Sequence, residues 1–126
     1  MKFRDQQAIY LQIVEFACEQ LLLGKWQQGQ RIPSVRELAV ELEVNPNTVL
    51  RAYEILQQEE ISINKRGVGF FAADNAIEKI KAYRKEQFIA HELMPFFRNL
   101  YLLDIDFEEL KAKYEAFKKE YDPTTT

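Results

Sequence analysis

The sequence predicts a mainly helical chain with one small β-hairpin, organised as an amino-terminal unit over residues 1–75 and a short helical tail over 76–126. Three observations carry this. Helical periodicity with start signals recurs three times before residue 60, a short alternating stretch with a basic, glycine-bearing centre follows, and helical patterning then resumes to near the end. At 126 residues, 47% of them apolar, the chain can bury one real core and a small satellite.

The first helix is expected over Ala8–Leu23, with Ile9, Ile13, Phe16, Ala17, Leu21, Leu22 and Leu23 on its buried face and Gly24 ending it. Lys25–Gln30 reads as a loop, and Ile32 as extended because a following proline disfavours helical backbone. Ser34-Val35-Arg36-Glu37 carries the capping-box pattern, starting a helix that runs to about Leu42 on Val35, Leu38, Ala39 and Leu42. After Glu43-Val44, Asn45 is an N-cap and Pro46 suits the first helical position, where its missing N–H has no partner to lose. The third helix should bury Val49, Ala52, Tyr53 and Leu56 and turn Asn47, Thr48, Leu50, Arg51 and Glu54 outward.

Ile61-Ser62-Ile63-Asn64, Lys65-Arg66-Gly67-Val68-Gly69 and Phe70-Phe71-Ala72-Ala73 read as a hairpin with a basic tip. A helix is expected from Ala76 to about Leu93, Pro95 then divides it from the aromatic-rich Phe96–Leu103, and a last helix spans about Phe107–Tyr121. Pro123 and the threonines after it are not expected to fold alone.

Composition excludes several classes. Cys18 is the one cysteine and sits in an apolar helical pattern, so a core position in a reduced compartment is expected. His91 is the one histidine, which leaves no set for a zinc site or a Cys–His pair; there is no phosphate loop, and neither enzyme nor cofactor is expected. No apolar run approaches the roughly 20 residues of a membrane span, and a cytoplasmic setting is expected.

The net charge of −3 argues on its face against a polyanionic partner. Charge is unevenly distributed, however. No Asp or Glu occurs between Trp26 and Arg36, Val44 and Tyr53, or Ile61 and Ala73, and Arg31, Arg36, Arg51, Lys65 and Arg66 all fall there. Helix, helix, tight turn, helix and basic hairpin is the order of a winged helix-turn-helix, whose second turn helix enters the major groove of double-stranded DNA while the hairpin touches the flanking minor groove or phosphates. On that reading Asn47 is placed for adenine, Thr48 for base or phosphate, Arg51 for phosphate or guanine, Arg36 for a base or backbone oxygen, and Lys65 and Arg66 for the minor groove, with Gly67 allowing close approach. The alternative is an interaction adaptor on a winged helix without DNA binding, favoured by the acidic total charge.

Ile32-Pro33-Ser34-Val35-Arg36-Glu37-Leu38-Ala39 resembles the L-P-S-x-R-x-L-A segment of the GntR family of bacterial regulators, with matching Tyr10-Leu11-Gln12-Ile13 upstream. Asn45–Tyr53 resembles the N-P-N-T-V-x-K-A-Y of the YtrA-like subgroup, and Lys65–Phe71 resembles its R-R-G-x-G-x-F wing. The resemblance covers residues 8 to 73 and implies a repressor. It implies DNA contacts at Ser34 and Arg36, at Asn45, Asn47 and Thr48, and at the wing glycine Gly67; Arg51 stands for the subgroup's lysine. Leu50 replaces an arginine common in relatives, and Glu60 a common glycine.

The tail is too short for an enclosed effector pocket, and no residue identifies a small-molecule effector. Ile77, Ile80, Tyr83, Phe88, Met94, Phe96, Phe97, Leu100, Tyr101, Leu110, Tyr114 and Phe117 offer more apolar surface than it can hide alone. A homodimer through these helices is expected, matching a palindromic operator; packing back onto the winged unit is the alternative.

Overall fold

The structure is a computed structural model that describes Phe3 and residues 7–121. Pro123 and the final threonines lie outside the described residues. The elements run α1 (Ile9–Leu22), α2 (Val35–Leu42), α3 (Pro46–Gln58), β1 (Ser62–Lys65), β2 (Gly69–Ala72), α4 (Ala76–His91), α5 (Leu93–Leu102) and α6 (Phe107–Glu120). They group into two compact units, Met1–Arg84 and Lys85–Thr126.

In the first unit Ile13, Ala17 and Leu21 of α1, Leu38 and Leu42 of α2, and Val49, Ala52, Tyr53 and Leu56 of α3 close one core. Full burial of each large aliphatic side chain is worth about 1.5–3 kcal/mol, enough to decide which face of each short helix turns inward. Cys18 is part of this core, and burial pushes its thiol up to about 11. Ile80 is buried in it too, with Tyr83 packed against it, so the unit continues into α4 to Arg84, beyond residue 75. These two residues therefore do not add to the apolar surplus of the tail.

The buried face of α1 differs from expectation at both ends. Ile9, Leu22 and Leu23 are exposed, because the core stops at Leu21 and the chain turns off through the Leu23 cap. Gln12 is buried instead, its side-chain amide donating to the Gln7 carbonyl at 2.8 Å.

Both predicted start signals are realised. The Ser34 N–H donates to Glu37 Oε1 at 2.9 Å, and the Glu37 N–H to Ser34 Oγ at 3.0 Å. Asn45 Oδ1 accepts from the Asn47 N–H at 2.8 Å, with Pro46 at the first position of α3. The turn between the helices is closed by Glu43 in the left-handed region, φ 56°. At the end of α3, Glu60 takes φ 62° at the position where glycine is common, and the Ile61 N–H reaches back to the Leu56 carbonyl at 2.8 Å. The helix thus closes as a glycine-capped one would, with glutamate bearing the backbone cost.

The strands β1 and β2 pair antiparallel from Ser62↔Ala72 to Lys65↔Gly69. The segment expected as loop before Ile32 joins them. The Gly29 N–H donates to the Ala72 carbonyl, the Ala72 N–H to the Gln30 carbonyl at 2.9 Å and the Ile32 N–H to the Phe70 carbonyl at 3.0 Å, with Arg31 bridging Phe71. The hairpin is thereby fastened along the far side of β2 to the chain that leads into α2.

In the second unit Pro95 lies inside α5, at its third residue, and the break falls at Glu92. A proline is tolerated there because first-turn N–H groups have no partner within the helix. Asp106 caps α6 by accepting from the Glu108 N–H at 3.1 Å. None of the described residues 85–121 is buried. Met94, Phe97, Tyr101, Phe107 and Phe117 are all exposed, Tyr101 to 84%.

Candidate nucleic-acid interface

The amino end of α3 is built to present polar groups. With Asn45 occupied as the cap, Asn47 and Arg51 are exposed one turn apart and Thr48 is half-buried beside them. The Arg51 guanidinium lies over the Tyr10 ring, its Cζ 3.7 Å from the centroid. A cation held over an aromatic face loses much of its conformational freedom but none of its charge. Tyr10 is thus a positioning residue.

Arg36 is exposed in the first turn of α2. Its neighbouring acid, Glu37, is engaged elsewhere: hydrogen bonds from the Ser34 backbone N–H and then its hydroxyl hold that carboxyl below the usual glutamate value, with Arg31 adding attraction. Ser34 Oγ in turn accepts from the Glu37 N–H, so the two residues are joined in both directions.

The wing tip turns through Lys65–Val68, the Val68 N–H donating to the Lys65 carbonyl at 2.8 Å. Gly67, third in this turn, has φ +79°, a backbone that favours glycine, and nothing stands within 4 Å of where its side chain would be. Lys65 folds its ammonium over the Phe71 ring at 4.1 Å from the centroid, and Arg66 is exposed.

Tyr53 ties the three elements together. Its hydroxyl donates to the Pro33 carbonyl at 2.6 Å, just ahead of Ser34, and its ring meets Phe70 of β2 edge-on at 5.0 Å. Burial, more than the nearby Glu37 and Glu41, pushes the phenol well above its ordinary value, so it remains a donor throughout the physiological range. Tyr53→Phe keeps the ring and strands the Pro33 carbonyl. We expect a loss of about 1–3 kcal/mol, seen as a lower urea midpoint with unchanged slope.

Among the described residues the ion pairs are Lys79–Glu60 at 2.9 Å and Lys118–Glu115 at 3.3 Å. Neither involves Arg36, Arg51, Lys65 or Arg66. The positions of Ser34, Arg36, Asn45, Asn47, Thr48, Arg51, Lys65, Arg66 and Gly67 therefore fall on one unit: two at the start of α2, four at the cap and first turns of α3, three on the wing.

Sequence reasoning did not identify Tyr10 as the support of Arg51 or Tyr53 as the link between α2, α3 and wing. A tyrosine in an otherwise apolar inward stripe is the available signal, because its buried hydroxyl needs a partner. Glu54 also qualifies the acid-free surface: seven residues beyond Asn47, it returns to the same outward face of α3.

The model of bacterial regulatory proteins of the gntR family matches residues 9–72. The HTH-type transcriptional regulator YhcF of Bacillus subtilis is 31% identical over 116 residues, covering 92% of this chain and 94% of the relative. The HTH-type transcriptional repressor YtrA of the same organism is 42% identical over 73 residues, 58% of this chain and 56% of the relative. Among solved structures, a GntR-family regulator from Bacteroides thetaiotaomicron matches with a TM-score of 0.79 at 48% identity, covering 91% of this chain and 100% of the other.

Proposed function

Since the chain belongs to the GntR family and is a DNA-binding transcription regulator, we propose that it acts in the cytoplasm as a homodimeric repressor on a palindromic operator. The carrying observation is that Arg36, Arg51, Lys65 and Arg66, on α2, α3 and the wing, form no ion pair with a described carboxylate. Their charge is available to phosphates in spite of the acidic whole.

In this reading α3 enters the major groove, with the Asn47 amide on adenine and Arg51 on guanine or phosphate. Asn45 and Thr48 donate to backbone oxygens, and Arg36 anchors the start of α2 beside Ser34. Lys65, Arg66 and Gly67 follow the adjacent minor groove. The winged unit, whose core carries it past residue 75 to Arg84, supplies the DNA-binding surface, and the helices beyond it pair two copies. Support for pairing comes from a tail whose described residues from 85 onward include none that is buried. The likeness to YtrA, a transcriptional repressor, supports repression.

Selection from a random duplex pool with the full chain tests this. We expect enrichment of a palindrome with half-sites about one helical turn apart, and affinity that falls steeply between 50 and 200 mM salt, by about a thousandfold if some six phosphates are neutralised. A pool that stays unenriched at low salt would refute the reading.

A further inference from the structure

We infer that Leu50 is a specificity-determining residue, its exposed side chain reading the C5-methyl group of a thymine in each half-site. The inference rests on the DNA-binding reading above. Leu50 lies in the second turn of α3 and is 42% exposed, while its neighbours Val49, Ala52 and Tyr53 are fully buried. It is not among the partly buried hydrophobic residues packed against the core, although Ile55 of the same helix is.

An exposed leucine alone signifies nothing; Leu22 and Leu23 are exposed as well. Position distinguishes Leu50. At about 100° per residue it shares the outward face of α3 with Asn47, one turn before, and Glu54, one turn after, and Arg51 adjoins it. It is thus the apolar element in a polar row along the helix that faces the bases.

Among base-pair edges in the major groove, thymine presents the methyl group, whereas guanine, adenine and cytosine present hydrogen-bonding atoms there. Leucine can neither donate nor accept. Opposite guanine or cytosine it would desolvate polar atoms without replacing their bonds; opposite thymine it excludes water from a methyl group. With Asn47 suited to adenine, this face of α3 specifies an A·T-containing core in each half-site.

The test uses the full chain and the duplex enriched from the random pool, with thymines replaced symmetrically by uracil, which removes the methyl group alone. At one thymine pair we expect the parent chain to bind about fourfold more weakly per half-site, about fifteenfold for two, the value of one buried methyl group each. Leu50→Ala should be insensitive to uracil at that pair, should keep the parent's melting temperature, and should bind random-sequence DNA as the parent does. If Leu50→Ala retains the parent's full sensitivity at every thymine, or if no thymine responds in the parent, the inference is overturned while operator binding stands. Failure of the parent to prefer any duplex would instead remove the DNA-binding reading beneath it.

Discussion

Replacing Arg36 and Arg51 together by alanine should weaken binding to each half-site of the selected operator by at least about thirtyfold while the chain stays folded, since each such contact contributes about 1–3 kcal/mol and well-separated contacts add. The two side chains are exposed, on different helices, and neither pairs with a described carboxylate. Stability should change little. Arg36 has no described contact to lose, and Arg51 gives up its stacking on Tyr10, worth about 0.5–1 kcal/mol at an exposed site. Arg51→Lys separates charge from geometry: lysine keeps the attraction to phosphate but loses the guanidinium's contact with the Tyr10 ring and the two-pronged contact to guanine. Anisotropy titrations at fixed salt read all three variants. Binding of the double variant within threefold of the parent would remove these arginines from the interface.

The second large effect is expected in the tail. Phe97→Asp combined with Phe117→Asp places carboxylates on α5 and α6 at positions exposed in the single chain. Their cost should therefore fall on association and not on the fold of one copy. We expect the doubly charged chain to sediment as a monomer and to bind the palindrome about a hundredfold to ten-thousandfold more weakly, the avidity gained when two sites are linked, while half-site binding persists. Helix content by circular dichroism checks that the monomer is folded. A variant that remains a dimer would move the pairing surface off α5 and α6.

Local chemistry was the legible part of the fold. Ser34 with Glu37, and Asn45 with Pro46, mark helix starts because cap and backbone partner lie within three residues, so no distant chain is needed to form them. The inward stripe of α3 was legible for the same reason, as one helix face read by period. What needed a distant partner was not. The pairing of Gln30–Ile32 with β2 joins segments some forty residues apart, and nothing in Gln27-Gln28-Gly29-Gln30 distinguishes a strand from a loop. Periodicity also cannot say where a core ends, which is why Leu22 and Leu23 were expected inside. Pro95 misled because a proline that ends one helix and a proline in the first turn of the next leave the same trace in sequence.

The interface divides the same way. Its cations and its Asn-Thr pair could be placed on elements from pattern alone, because helix period decides what points out. The supports could not. Arg51 rests on a ring contributed by α1, and Tyr53 reaches a carbonyl twenty residues earlier. Glu54 lay just outside the acid-free window in sequence but returns to the same face once the helix has turned twice.

Cys18 has a consequence for how this regulator ages and how it can be measured. Its sulfur is sealed among the side chains of the three-helix core and held in the protonated form, so peroxide and disulfide reagents meet no thiolate at the surface. Oxidative stress should therefore leave Cys18 of the folded molecule unmodified. Because it is the sole thiol in the chain, its alkylation by iodoacetamide registers each opening of that core and nothing else, giving a built-in clock for unfolding that needs no added label.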